Sequence, residues 1–187
     1  MYHLSLALLS ILSAIWPSPE PPVPERWHAW PVAKVFPGTV PGLSPSGARV
    51  TYVLAGIAPE ASCAAAFQPA AVRSGCRTAL RATYADSTQT YVATVGIAVL
   101  DGPGLGPYTA GRPATVRPVA FPGGPAERFG ERQYVTGVLI GSDDHYVVAT
   151  AAGYADGRPY QPGDRTGPRL RAAARQLATA LHRALTR

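Results

Sequence analysis

The sequence predicts an α+β domain: an antiparallel sheet of about five or six strands with short helices, and a C-terminal helix packed on that sheet. Three observations predict it. Runs rich in β-branched and aromatic residues recur between turn residues, and two of those turns join neighbouring runs as hairpins. One long segment, Arg169 to Leu185, repeats apolar residues at helical spacing. The 19 Gly and 20 Pro among 187 residues break the rest of the chain into short pieces. Apolar residues make up 47% of the chain, enough for a buried core, whereas charged residues are only 15%, against roughly 25% in an average domain. That balance excludes a disordered polyelectrolyte.

Residues 1–16 hold an uncharged apolar run, Leu4 to Trp16. At ~1.5 Å per residue it reaches ~20 Å, short of a ~30 Å hydrocarbon core and in the range of a signal-peptide core. Only Met1, Tyr2 and His3 precede it, with no Lys or Arg, so an anchor and a cleaved signal are both open, as is a start upstream of Met1. Residues 17–48 form a Pro/Gly-rich spacer and irregular arm. Five Pro among residues 17–24 impose an extended polyproline II spacer of ~25 Å. Trp27, Trp30 and Phe36 follow, and rings of that size are expected to bury against the domain.

Residues 49–187 are the single globular domain. Arg49 to Ile57 reads as a strand. Pro59 to Phe67 is Ala-rich with Pro at its start and reads as a short helix. In Arg77 to Ala85, Arg77, Ala79, Arg81 and Thr83 alternate with Thr78, Leu80, Ala82 and Tyr84. The turn Asp86-Ser-Thr-Gln89 then leads into a strand from Thr90 to Leu100, completing a hairpin. After the Gly/Pro loop 101–113, Thr115 to Phe121 reads as a strand and Pro125 to Gly130 as a helical turn. Strands over Gln133–Ile140 and Tyr146–Tyr154 flank the loop Gly141-Ser-Asp-Asp-His145. In the last segment Leu170, Ala174, Leu177, Leu181 and Leu185 make an apolar stripe opposite Arg171, Arg175, Thr179 and His182.

Cys63 and Cys76 are the only cysteines, and an even count in an exported chain reads as a disulfide. The four His are scattered, without the spacing of a zinc site, and no metal or cofactor is expected. Gly102-Pro-Gly-Leu-Gly106 is no dinucleotide loop, because Pro103 and Pro107 remove backbone donors and no helix opens after it. P-loop, H-E-x-x-H and G-x-S-x-G motifs are absent, and Ser44 and Ser46 read as solvated loop residues. Charge also argues against nucleic acid: residues 1–168 carry 12 basic and 11 acidic side chains, whereas residues 169–187 carry five Arg and no acid. The basic tail could instead meet anionic lipid, alongside the apolar N-terminal segment.

Two groups carry chemistry. Asp143, Asp144 and His145 pair carboxylates with an imidazole, which could poise a base near neutral pH, although a hairpin loop uses the same residue types for turn geometry. Arg73, Arg77 and Arg81 could together receive a carboxylate or phosphate, or simply be a solvated sheet face.

Ser62-Cys63-Ala-Ala-Ala66, Gly75-Cys76 through Tyr84, Val95 to Leu100 and Val119-Ala-Phe-Pro122 give the chain a loose resemblance to uncharacterised actinobacterial proteins. Those are small exported or membrane-anchored proteins with a Pro-rich spacer and a two-cysteine globular domain. The resemblance implies an extracytoplasmic location, membrane-anchored or secreted, and carries over no active site. The expected work is therefore non-catalytic: binding an envelope protein or ligand, or sensing. The alternatives are a small extracytoplasmic hydrolase using Asp143, Asp144 and His145, and a carrier of apolar ligands with a cavity between sheet and helix.

Overall fold

All ten residues of the strand Tyr91–Leu100 are buried, and so are all nine of Tyr146–Tyr154. An antiparallel strand with one wet face would alternate, so these two must be covered on both sides. The computed structural model describes residues 23–68, 75–102, 116–130, 133, 136–141 and 145–187. It has a 3-10 helix Val23–Ala29, then α1 (Val32–Val35), β1 (Thr39–Leu43), β2 (Arg49–Ala61), α2 (Cys63–Ala66), β3 (Cys76–Asp86) and β4 (Tyr91–Leu100). β5 (Thr136–Gly141), β6 (Tyr146–Tyr154) and α3 (Gly167–Leu185) follow. The six strands form one curled antiparallel sheet in the order β1-β2-β3-β4-β6-β5, the α+β architecture that the residue pattern predicts.

On one face lies α3, which touches both edge strands, β1 and β5, as well as β4 and β6. Leu170, Leu177 and Leu181 of its stripe are fully buried among Val95, Ile97 and Val148 of the sheet. Arg171 and Arg175 on the opposite side are exposed, while Thr179 and His182 are half-buried. α1 and the half-buried Trp27 and Trp30 join this core, and Phe36 is buried in it. Bulges in β2, between Leu54 and Gly56 and between Ala58 and Ala61, interrupt its pairing with β3 and accompany the curl.

The other face is covered by a layer without regular structure. Phe67, Val116, Ala126 and Phe129 are buried there against Ala79, Val92, Ala98 and Val147. Side chains of this layer come close enough that glycine is required: a Cβ on Gly96 would stand 2.5 Å from Val116 Cγ2 and 2.9 Å from Phe67 Cε1. A closed ring of hydrogen bonds holds the layer down. Val119 N donates to Thr94 Oγ1 (2.9 Å), Thr94 and Thr83 Oγ1 lie 2.8 Å apart as a cross-strand pair, and Thr83 Oγ1 donates to Val119 O (2.8 Å). Both threonines are fully buried. Thr94→Val should therefore strand the Val119 N–H and destabilise the domain by about 1–3 kcal/mol. A urea midpoint unchanged from the parent would show that the ring contributes nothing.

The structure corrects several boundaries. The helix expected over Pro59 to Phe67 is only Cys63–Ala66, because β2 runs on to Ala61. Pro59 is tolerated there because it falls in the gap between the paired positions Ala58 and Ala61, where no ladder bond is lost. The helix starts at the cysteine itself, capped by the preceding Ser62, whose Oγ accepts from Ala65 N. Of the strand expected over Thr115 to Phe121, Thr115 lies outside the described residues, and residues 116–121 make one bridge, Val116 to Phe67. Val119 bonds to threonine side chains instead of a neighbouring strand, and Pro118 has no N–H to offer one. The arm before Arg49 contributes a strand, β1, despite Pro41. Pro41 sits on a sheet edge, where a missing donor costs no pairing. The apolar segment 1–16 lies outside the described residues. Among the described ones, no helix is long and apolar enough to cross a membrane.

Candidate functional site

The cysteines form the disulfide Cys63–Cys76, with Cα atoms 6.2 Å apart. The bond ties α2 to the start of β3 and is of the kind that persists in an oxidising, extracytoplasmic compartment.

Asp143 and Asp144 lie outside the described residues. His145 is half-buried at the start of β6; its Nδ1 is 3.1 Å from Leu100 O, and Leu100 N donates to His145 O at 2.8 Å. The imidazole thus shares one of its nitrogens with the end of β4. Among the described residues, no group of three or more His, Cys, Asp or Glu is placed to hold a metal ion. Arg73 also lies outside the described residues. Arg77 is exposed and pairs with Glu25 of the 3-10 helix at 3.3 Å. Arg81 is half-buried and in register with Gly96, on the face that Phe67 and Val116 cover. The alternation that reads as a solvated Arg face therefore runs, at Arg81, under a third layer.

A groove opens elsewhere, at the end of the sheet where α3 begins. Its deeper part, about 220 Å³, is walled by Val50 and Tyr52 of β2, Tyr91 of β4, Ala172 and Ala173 of α3, and the turns that end β1 and β3. A shallower part of about 350 Å³ continues past Ala172 to Arg171, Arg175 and Gln176. Arg49 and Arg169 line the deeper part.

Each wall is built by local chemistry. The β1–β2 turn closes with Ser44 N donating to Ala48 O (2.8 Å) and Ala48 N donating to Ser44 Oγ (3.1 Å), while Ser46 Oγ lies 2.8 Å from Ser44 Oγ. Gly47 takes φ +82°, a left-handed conformation suited to glycine. Ser44 and Ser46 are thus turn-locking residues at the groove rim. Gln176 docks this hairpin to the helix: its Oε1 accepts from Leu43 N (2.8 Å) and its Nε2 donates to Leu43 O (2.5 Å). A side-chain amide thereby satisfies both backbone groups of an edge-strand residue, as another strand would.

Asp86 locks the opposite turn. Its buried carboxylate accepts from Thr90 N and Tyr91 N, both at 2.8 Å, and from Thr88 Oγ1. Burial, with a smaller contribution from the Asp86 charge, raises the Tyr52 hydroxyl from 10.0 to about 12, so Tyr52 stays neutral at physiological pH. Its O–H points at Gln176 Oε1, 3.4 Å away.

The groove's cations are less engaged. Arg171 Nη1 donates to Tyr160 Oη at 3.3 Å. Arg49, Arg169 and Arg175 are exposed and have no hydrogen-bond or ion-pair partner among the described residues. Sequence reasoning missed this site because it assigned residues up to 48 to an irregular arm. The one available signal was Ser44-Pro-Ser-Gly47, a turn tetrad directly before a strong strand. Comparison with protein-family models, curated proteins and solved structures finds no match for this chain.

Proposed function

We propose that this chain is an extracytoplasmic, non-catalytic binding domain that receives its ligand in the groove between the β1–β2 turn and α3. The observation that carries the reading is a concave site with an apolar floor, at whose walls Arg49, Arg169 and Arg175 have no partner among the described residues. The disulfide supports the location. In this reading the apolar segment 1–16 directs export or anchors the chain, and the Pro-rich stretch spaces the domain from the membrane, as in the exported proteins the sequence resembles.

Ala172 lines both parts of the groove and is half-buried on a helix, so Ala172→Phe fills the groove without touching the main core. Protein exported by its native host, then denatured and extracted, should release a small molecule detectable by mass spectrometry. The Ala172→Phe variant, equally folded, should release none. The hydrolase reading makes the opposite demand. An activity on envelope esters or peptides that survives Ala172→Phe and is abolished by His145→Ala would replace this proposal.

A further inference from the structure

Resting on that reading, we infer that the groove is selective for a single-chain organic anion, an acyl or alkyl tail ending in a carboxylate or phosphate. The tail would lie along the deeper part and the head would stay at the arginines. The deeper part offers Val50, Tyr52, Tyr91, Ala172 and Ala173, a floor that rewards apolar surface. Its one acid, Asp86, has its carboxylate oxygens occupied by the turn it closes, and no other acid lines either part.

Four arginines, Arg49, Arg169, Arg171 and Arg175, line the groove from two elements that meet only in the folded chain. Helix stability does not explain them. Arg169 and Arg171 lie near the N-terminal end of α3, where the helix dipole disfavours cations, and the first turn holds no acid to offset them. Three of the four have no partner among the described residues. A guanidinium presents planar donors that suit carboxylate and phosphate oxygens, and a site that couples such donors to an apolar trough complements an anionic amphiphile.

The probes are octyl phosphate and octanoate below their micellar concentrations, titrated calorimetrically into the purified domain. Both should bind about tenfold or more tighter than octanol and octyltrimethylammonium, which share the tail, and than inorganic phosphate, which shares the head. Affinity should fall as salt rises. Arg49→Gln/Arg169→Gln or Arg171→Gln/Arg175→Gln, or both, should weaken octyl phosphate about tenfold; these are exposed side chains, so the fold should persist. Ala172→Phe should abolish binding.

Equal binding of octanol or octyltrimethylammonium would overturn the anion selectivity while leaving the groove a binding site. Inorganic phosphate binding as tightly as octyl phosphate would overturn the role of the tail. Sedimentation of the domain with phosphatidylglycerol vesicles, with no saturable binding of either soluble anion, would assign the arginines to a membrane surface instead and overturn the inference. Binding of the two probes that is unchanged in Ala172→Phe and in both arginine variants would place it outside the groove, and the groove-based function would fall with it.

Discussion

Leu177→Asp will cost the domain about 4 kcal/mol or more, and the variant will be largely unfolded at 37 °C. Leu177 is fully buried on the face of α3 that meets the sheet, in the cluster that holds Ile97, Val148 and Leu181. A carboxylate there loses its water and lies among the apolar side chains of that cluster. Protonation would relieve the charge but would still leave a polar group where a leucine packed. Domains of this size are stable by only about 5–15 kcal/mol, so this one change removes a large share. Arg175→Glu, on the exposed side of the same helix, should shift stability by less than about 0.5 kcal/mol. Circular dichroism melts of the two variants beside the parent decide it. A Leu177→Asp melting temperature equal to the parent's would contradict the placement of α3 on the sheet.

Removing the disulfide comes next in size. Cys63→Ala/Cys76→Ala opens a link between residues 13 apart in sequence. A loop of that length restricts the unfolded chain by about 3 kcal/mol in the chain-entropy description. The native side has little to replace the link. α2 is four residues long and mostly Ala, so its own burial contributes little beyond the Ser62 cap. Urea unfolding of the double variant should show a midpoint lowered in proportion, with a similar slope. Thiol alkylation of unreduced, exported protein adds the location to the test. Folded material with two reactive thiols would remove both the clamp and the argument for an oxidising compartment.

Much of the central sheet was legible in the residues. β3, β4 and β6 are runs of β-branched, small and aromatic residues, bounded by turn residues on the sides where they form hairpins. α3 carries its apolar stripe at helical spacing, and the two cysteines had only each other to pair with. The site was not legible. Asp143, Asp144 and His145 attracted notice because chemically active residue types stand side by side in sequence, yet the one described member bonds to Leu100 O. The groove is built the other way: Ser44, Tyr52, Asp86 and Ala172 are unremarkable where they stand and come together only across the fold.

What the sequence alone determined is whatever depends on residues a few positions apart: the periods of strands and helix, the turn at Asp86, and the α+β class that follows from them. Only the tertiary structure decided the rest. The strand Thr39–Leu43 pairs with β2 and is docked to α3 by Gln176, 133 residues away, which takes up the backbone of Leu43. Whether Arg81 faces water depends on Phe67 and Val116 closing over that face of the sheet at Gly96, its register partner. Such contacts are fixed by the closing of long loops, whose entropic cost is met by burial of the whole core rather than by any local preference.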